Sequence, residues 1–206
     1  MADVTIGQLN QGIPNKNTAV IPYSDGSTTY KTSPSGIVAA SPGCILQVKQ
    51  VVRTSIFTHN FGQIWVDVPT LSAYITPSST SSKFLINWSG SCSVSYNYGT
   101  GTQVSALKVV RVINGISSDT ILGDSRGSAL RAGTTTYVPG NQIAATHSGM
   151  YLDSPSLTNL NEICYKLQMW AEDSSAYNSV LGGSFNSNLS YSSSVPTFLT
   201  VQEIAG

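Results

Sequence analysis

From Cys44 onward, apolar and polar residues alternate with a period of two, the signature of strands with one buried face. Leu46, Val48 and Val52 share one face of a first strand. Ile64, Val66 and Val68 share another, with Asp67 between them. Leu71, Ala73 and Ile75 alternate with Ser72 and Tyr74 up to Thr76-Pro77 and a serine-rich turn, Ser78 to Ser82. Phe84, Ile86 and Trp88 then alternate with Leu85 and Asn87. Val110 and Val112 lead into Asn114-Gly115, a two-residue hairpin signal, with "TILG" expected as the return strand. "GMYLDSPSL" reads as a strand broken at Asp153-Ser154-Pro155, and Phe198 to Ile204 as the closing strand. "NLNEICYKLQMWAE" could compete as a helix. However, Ile163, Tyr165, Leu167 and Met169 alternate cleanly with Cys164, Lys166, Gln168 and Trp170, so a strand is expected. About eight strands at this spacing predict an all-β domain, an antiparallel β-sandwich of jelly-roll type, over residues 44–206.

Residues 1–43 follow a different rule. Pro14, Pro22, Pro34 and Pro42 interrupt the segment and forbid any long helix. "IPYSDGSTTYK" places Asp25-Gly26 between two short stretches able to pair as a hairpin. Large apolar residues are too few to build a separate core. The segment therefore reads as an extended arm that needs a surface to lie on. Its candidate contact residues are Ile6, Leu9, Ile13, Val20, Ile21, Tyr23 and Tyr30.

Composition narrows the partners. Only 10% of the 206 residues are charged, against roughly 25% in an average soluble domain. Ten basic residues balance ten acidic ones. That speaks against nucleic acid, whose phosphates call for clustered Lys and Arg, and against a polybasic membrane surface. The start "MADVTIGQLN" lacks the basic and apolar regions of a signal peptide, and no apolar run reaches the length of a membrane span. Cys44, Cys92 and Cys164 are widely spaced and odd in number, so they are expected as small buried hydrophobes rather than as a disulfide framework or a zinc site.

Several motifs invite a chemical reading. "GDSRG", Gly123 to Gly127, matches a nucleophile elbow, with His147 and Asp153 downstream. That elbow needs a strand-to-helix turn on a parallel sheet, which this alternation does not supply, so a plain turn is expected. His59 and His147 sit in polar, turn-like contexts and are expected at the surface or between subunits, where one histidine per chain could form a metal ring on a symmetry axis. Asp119 and Asp124 are too sparse for a calcium loop. Gly99 and Gly101 are followed by Val104 where a dinucleotide loop would place a third glycine. Glu162 and Glu172 are a weak candidate for a glycosidase pair. Tyr96, Tyr98, Tyr151, Tyr177 and Tyr191 could stack on sugar rings, though covering core edges or a subunit interface is the simpler expectation. No catalytic, cofactor-binding or metal-binding residue is expected.

Two stretches carry a family resemblance. In the arm, Ile6, Gln8, Leu9, Ile21, Pro22, Tyr23, Thr29, Lys31 and Thr32 match the N-terminal segment of many tailed-phage virion proteins. In the domain, Gly43 to Val48, the block Val66 to Ile86 containing "ITPSSTSSKFLI", Arg111 to Gly115 and Gly123-Asp124 resemble phage structural β-domains. Leu152 to Pro155 and the final "V-x-E-I", Val201 to Ile204, extend the match. The resemblance implies a non-enzymatic virion component, often a homotrimer: a capsid cement or decoration protein, a head fibre, or a tail fibre or tail-tip part. A fibre usually has a shaft, and no heptad or repeat lies between arm and domain. The expectation is thus a trimeric cement protein in the virion, made in the host cytoplasm and bound to the major capsid protein or other virion proteins through residues 1–43. A fibre or tail component, conceivably carbohydrate-binding, is the alternative.

Overall fold

The computed structural model describes residues 21–24, 29–32, 42–59, 64–94, 102–119, 132–139, 144–171, 179–183 and 194–206. Every regular element among them is a strand. Two short strands of the arm, β1 (Ile21–Ser24) and β2 (Thr29–Thr32), pair antiparallel as their own small sheet, with Tyr23 opposite Tyr30. The expected Asp25-Gly26 turn lies outside the described residues.

The domain runs through β3 (Ile45–Arg53), β4 (Phe57–His59), β5 (Val66–Ile75), β6 (Lys83–Val94) and β7 (Thr102–Ile113). It continues with β8 (Ile116–Asp119), β9 (Thr134–Pro139), β10 (Ala145–Asp153), β11 (Ile163–Ala171), β12 (Ser179–Leu181) and β13 (Thr197–Ile204). Three pairs of these strands are collinear halves of one row. β12 and β13 both pair with β6, opposite Cys92–Val94 and Lys83–Ser89 respectively. Beside them, β4 pairs with β12 and β3 with β13. Similarly, β8 and β9 pair with the two ends of β7.

Merging the halves leaves eight rows. In chain order, the first sheet holds rows one, eight, three and six: β3/β4, β13/β12, β6 and β10. The second holds rows two, seven, four and five: β5, β11, β7 and β8/β9. This interleaving of two antiparallel four-row sheets is the jelly roll expected from the alternation.

Local chemistry explains the row breaks and turns. Asn114 and Gly115 both take positive φ, 51° and 76°, as a two-residue hairpin turn requires. Ile113 therefore faces Ile116, and the return strand begins at once. It spans Ile116–Asp119 rather than "TILG", which falls outside the described residues. The row formed by β12 and β13 is interrupted after Gly182, whose φ of +93° turns the chain out of the sheet. Its base is closed by the Gly183–Ser194 bridge and by Val195 N donating to Gly182 O at 2.9 Å. The stretches around Val66 and Leu71 form one strand, not two. Thr70, at φ 70°, sits in a bulge that sets Val68 to Leu71 opposite Leu167. Both Val68 and Leu71 are thereby buried.

The core lies between the sheets. Phe84, Ile86 and Trp88 of β6, with Leu199 and Val201 of β13, meet Leu71, Ala73 and Ile75 of β5, Leu107 and Val109 of β7, and Ile163, Tyr165, Leu167 and Met169 of β11. The face shared by Leu46, Val48 and Val52 points the other way. Val51, of opposite parity, packs on the core, while Val48 and Val52 are 53% and 48% exposed. Alternation fixes which residues share a face but not which face meets the partner sheet.

Candidate functional site

Three clusters built on motif residues lie inside the sandwich, each drawing partners from distant strands. Glu203 on β13 is fully buried. It accepts hydrogen bonds from Gln47 Nε2 (2.6 Å), Ser78 N (2.6 Å), Ser78 Oγ (3.1 Å) and Ser82 Oγ (2.6 Å). Burial pushes its carboxyl up, but the hydrogen bonds from Ser82, Gln47 and Ser78 outweigh this and hold it below the usual range. The serine block and the closing "V-x-E-I" strand, more than a hundred residues apart, thus form one lock. Gln47 extends it by donating to Thr76 O across the edge where β3 meets β5.

A second cluster joins two more of the motifs. Arg111 Nη1 on β7 lies 2.6 Å from both carboxylate oxygens of Asp153, at the end of β10. Tyr165 Oη on β11 donates to Asp153 Oδ2 at 2.8 Å. Burial and the neighbouring Asp153 push the Tyr165 phenol far up, so it stays a proton donor. Arg111 sits 19% exposed and Asp153 6%, a largely desolvated pair spanning the two sheets. Removing one partner of such a pair costs about 3–5 kcal/mol.

The third cluster corrects an expectation. Both histidines are buried, His59 at 5% and His147 at 1% exposure, rather than lying at the surface or between subunits. Their polar neighbours in sequence belong to strand ends, and the rings turn inward from β4 and β10. His147 Nε2 lies 2.9 Å from Ser105 Oγ on β7, and Nδ1 lies 3.2 Å from Thr134 Oγ1 on β9. Burial lowers its pKa to about 4, against the raising effect of a hydrogen bond with the Thr134 backbone. A serine–imidazole contact at this distance can mark a nucleophile and its base. Here Ser105 is fully buried, and the far nitrogen meets a hydroxyl where a triad would place a carboxylate. The ring instead clamps the β10 edge of one sheet onto the other.

The remaining candidates fall apart in space or lie beyond description. Cys92 and Cys164 are buried free thiols on strands, as expected, whereas Cys44 lies just ahead of β3 and is only half-buried; burial pushes the Cys92 thiol up. Asp119 ends β8, Glu162 is exposed before β11, and Tyr151 is 41% exposed at the β10 edge. Asp124, Glu172, Gly99, Gly101, the Gly123–Gly127 turn and Tyr96, Tyr98, Tyr177 and Tyr191 lie outside the described residues. So do Ile6, Leu9, Ile13 and Val20 of the arm, while Ile21, Tyr23 and Tyr30 belong to the β1–β2 ladder. Among the described residues, no group of three or more His, Cys, Asp or Glu is placed to hold a metal ion.

What the chain presents outward differs between the sheets. On the second sheet, Asp67 accepts from Gln168 Nε2 (2.6 Å) and pairs with Lys166 Nζ (3.1 Å). Lys108 Nζ on the same face lies 4.5 Å from the centre of the Trp65 ring. The outer face of the first sheet centres on three cross-strand ranks, Val48–Gln202–Leu85–Leu152, Gln50–Thr200–Asn87–Met150 and Val52–Phe198–Ser89–Ser148, with exposed Lys83 beyond Leu85 at one end. None of these twelve residues is ionisable, and Met150 is 68% exposed. Between Met150 and Phe198 the face dips into a depression of about 490 Å³ that also touches Asn87, Ser89 and Ser148. Reasoning from sequence missed this face because Leu85, Met150 and Phe198 come from three distant segments.

No family model matches the chain, and no curated protein matches it. Solved structures similar to it include a VP2 protein variant of infectious bursal disease virus in derived T=1 particles, at 14% identity and a TM-score of 0.32. The match covers 91% of this chain and 41% of that one. A VP2 subviral particle of the same virus matches at 13% identity and a TM-score of 0.30, over 91% of this chain and 42% of that one. The chain therefore spans about two fifths of the length of these proteins.

Proposed function

We propose that the chain is a non-enzymatic structural protein of a virion, a homotrimeric cement protein that lies across a capsid and clamps neighbouring subunits through residues 1–43. One observation carries the reading. The motifs behind the phage resemblance meet in space as two interior locks, Glu203 with the serine block and Arg111 with Asp153. Both locks hold strands of one scaffold together, which supports reading the resemblance over the domain as a unit. The arm contributes what the scaffold lacks. A two-stranded hairpin on its own is marginal in water and gains stability by packing on another surface. Three arms tethered to one trimer would multiply weak contacts into firm attachment.

The test is removal of residues 1–43. The remaining domain should keep its β-type circular dichroism and a cooperative melt, because both locks and the core lie beyond residue 43. It should no longer attach to particles that the full chain decorates in many copies. Full decoration by the truncated protein would remove the arm as anchor. A chain found in few copies, whose loss abolishes adsorption to cells, would replace the cement role with that of a fibre or tail component.

A further inference from the structure

The depression in the outer face of the first sheet has the size and lining of a small-ligand site. Its wall comes from three adjacent rows and two successive ranks: Phe198, Ser89 and Ser148 in one, Asn87 and Met150 in the next. Strands about 4.8 Å apart and ranks about 7 Å apart give it a footprint of roughly 10 by 7 Å, a little wider than one six-membered ring. Its volume of about 490 Å³ lies within the range of small-ligand sites. The polar side chains along it differ from their neighbours. Gln50 Nε2 donates to Thr200 Oγ1 at 2.9 Å in the same middle rank, whereas the side chains of Asn87, Ser89 and Ser148 bond to no other described residue.

We propose that this depression binds a neutral pyranose residue of a glycan. The chemistry of the wall selects that class. An anion would find no cation in either rank, since Lys83 on β6 stands about 13 Å along the strand from Asn87 and about 20 Å from Ser89. A cation would find no carboxylate there. A wholly apolar ligand would strip water from Asn87, Ser89 and Ser148 and give them no partner in return. A peptide adding itself as a strand needs free backbone groups, and β6 is already laddered to β13 on one side and β10 on the other. A pyranose meets every condition. Its hydroxyls both donate and accept, as do the two serines and the amide of Asn87. Its C–H face can rest on the half-buried Phe198 ring and on Met150, which is 68% exposed.

The inference goes beyond the cement role and does not rest on it. The experiment screens the full chain on an array of neutral, sialylated and sulfated glycans. The strongest neutral glycan is then titrated by calorimetry into wild type, Asn87→Ala, Phe198→Ala and Val48→Ala. All three positions face outward, so circular dichroism should not change. Binding to glycans that present a neutral pyranose is expected. It should weaken about tenfold in Asn87→Ala and in Phe198→Ala, and hold in Val48→Ala, which shares the face but not the depression. Absence of neutral-glycan binding, binding confined to the charged glycans, or a titration indifferent to both Asn87→Ala and Phe198→Ala overturns the proposal. Should Phe198→Ala lose its fold, Asn87→Ala alone decides. Particle attachment is scored in parallel. Attachment lost in Asn87→Ala, with no glycan bound by wild type, would assign the depression to a virion protein, against a sugar.

Discussion

Replacing Glu203 by glutamine removes one charge and reverses one hydrogen-bonding end without changing the size of the side chain. In the folded protein the two carboxylate oxygens accept four hydrogen bonds, from Ser82, Gln47 and both groups of Ser78. A hydrogen bond to a charged group contributes about 1.5–3 kcal/mol. The glutamine amide still offers one acceptor, but its NH₂ confronts donors that were aimed at an oxygen. Leaving one such buried donor unpaired costs a further 1–3 kcal/mol or so. The expected loss for Glu203→Gln at neutral pH is therefore about 3 kcal/mol, or a fall in Tm of roughly 6–12 °C for a chain of this size. The pH dependence follows from the sign of the pKa shift. The carboxyl is held below its ordinary value of 4.5 in the fold, so its stabilisation is complete above that value and is lost as pH falls through the lower folded pKa. Urea titrations of both proteins at neutral pH, and again below the folded pKa, should show a wide gap that narrows in acid with equal m-values. A variant within about 0.5 kcal/mol of wild type at neutral pH, the ordinary range for an uninvolved surface site, would refute the lock. So would a gap that ignores pH.

Two further substitutions probe the interior. His147 is neutral in the fold, with a pKa of about 4 against 6.5 unfolded, so wild-type stability should fall as pH drops from about 6.5 towards 4. The decline should reach roughly 3 kcal/mol at most, and His147→Gln should flatten urea-melt stability across that window. Gly149→Ala should be destabilising by about 1–3 kcal/mol or more. A Cβ there would collide with the Trp88 ring, and a displaced indole should shift tryptophan fluorescence as well as the melting temperature.

The fold was legible where one strand's own residues decide the outcome. Phe84, Ile86 and Trp88, or Ile163 to Met169, declare a buried face through alternation alone, and Asn114-Gly115 declares its turn through the φ values it can adopt. Legibility ended where a decision belonged to a partner. Val48 and Val52 alternate as well as any core strand, yet Val51 faces the core, because the placement of β13 settles the orientation of β3. The inward turn of His147 depends on Ser105 and Thr134, which no local pattern ties to it. For the candidate site, the serine block and the final strand were each visible as motifs. Their shared function was hidden, since Glu203 and Ser82 are 121 residues apart and meet only after the sheet forms. The outer face was the least legible part: each of its four rows contributes three members to the ranks, too few to stand out in any one segment.

The interruption after Gly182 gives the molecule a place to change. Its two stems are stitched together at Gly183 and Ser194, and both flanking half-strands keep their own ladders to β6. Each half of the row is thus held in register by β6 on its own, so opening the Gly183–Ser194 bridge would leave both ladders intact and let one half adjust without disturbing the other.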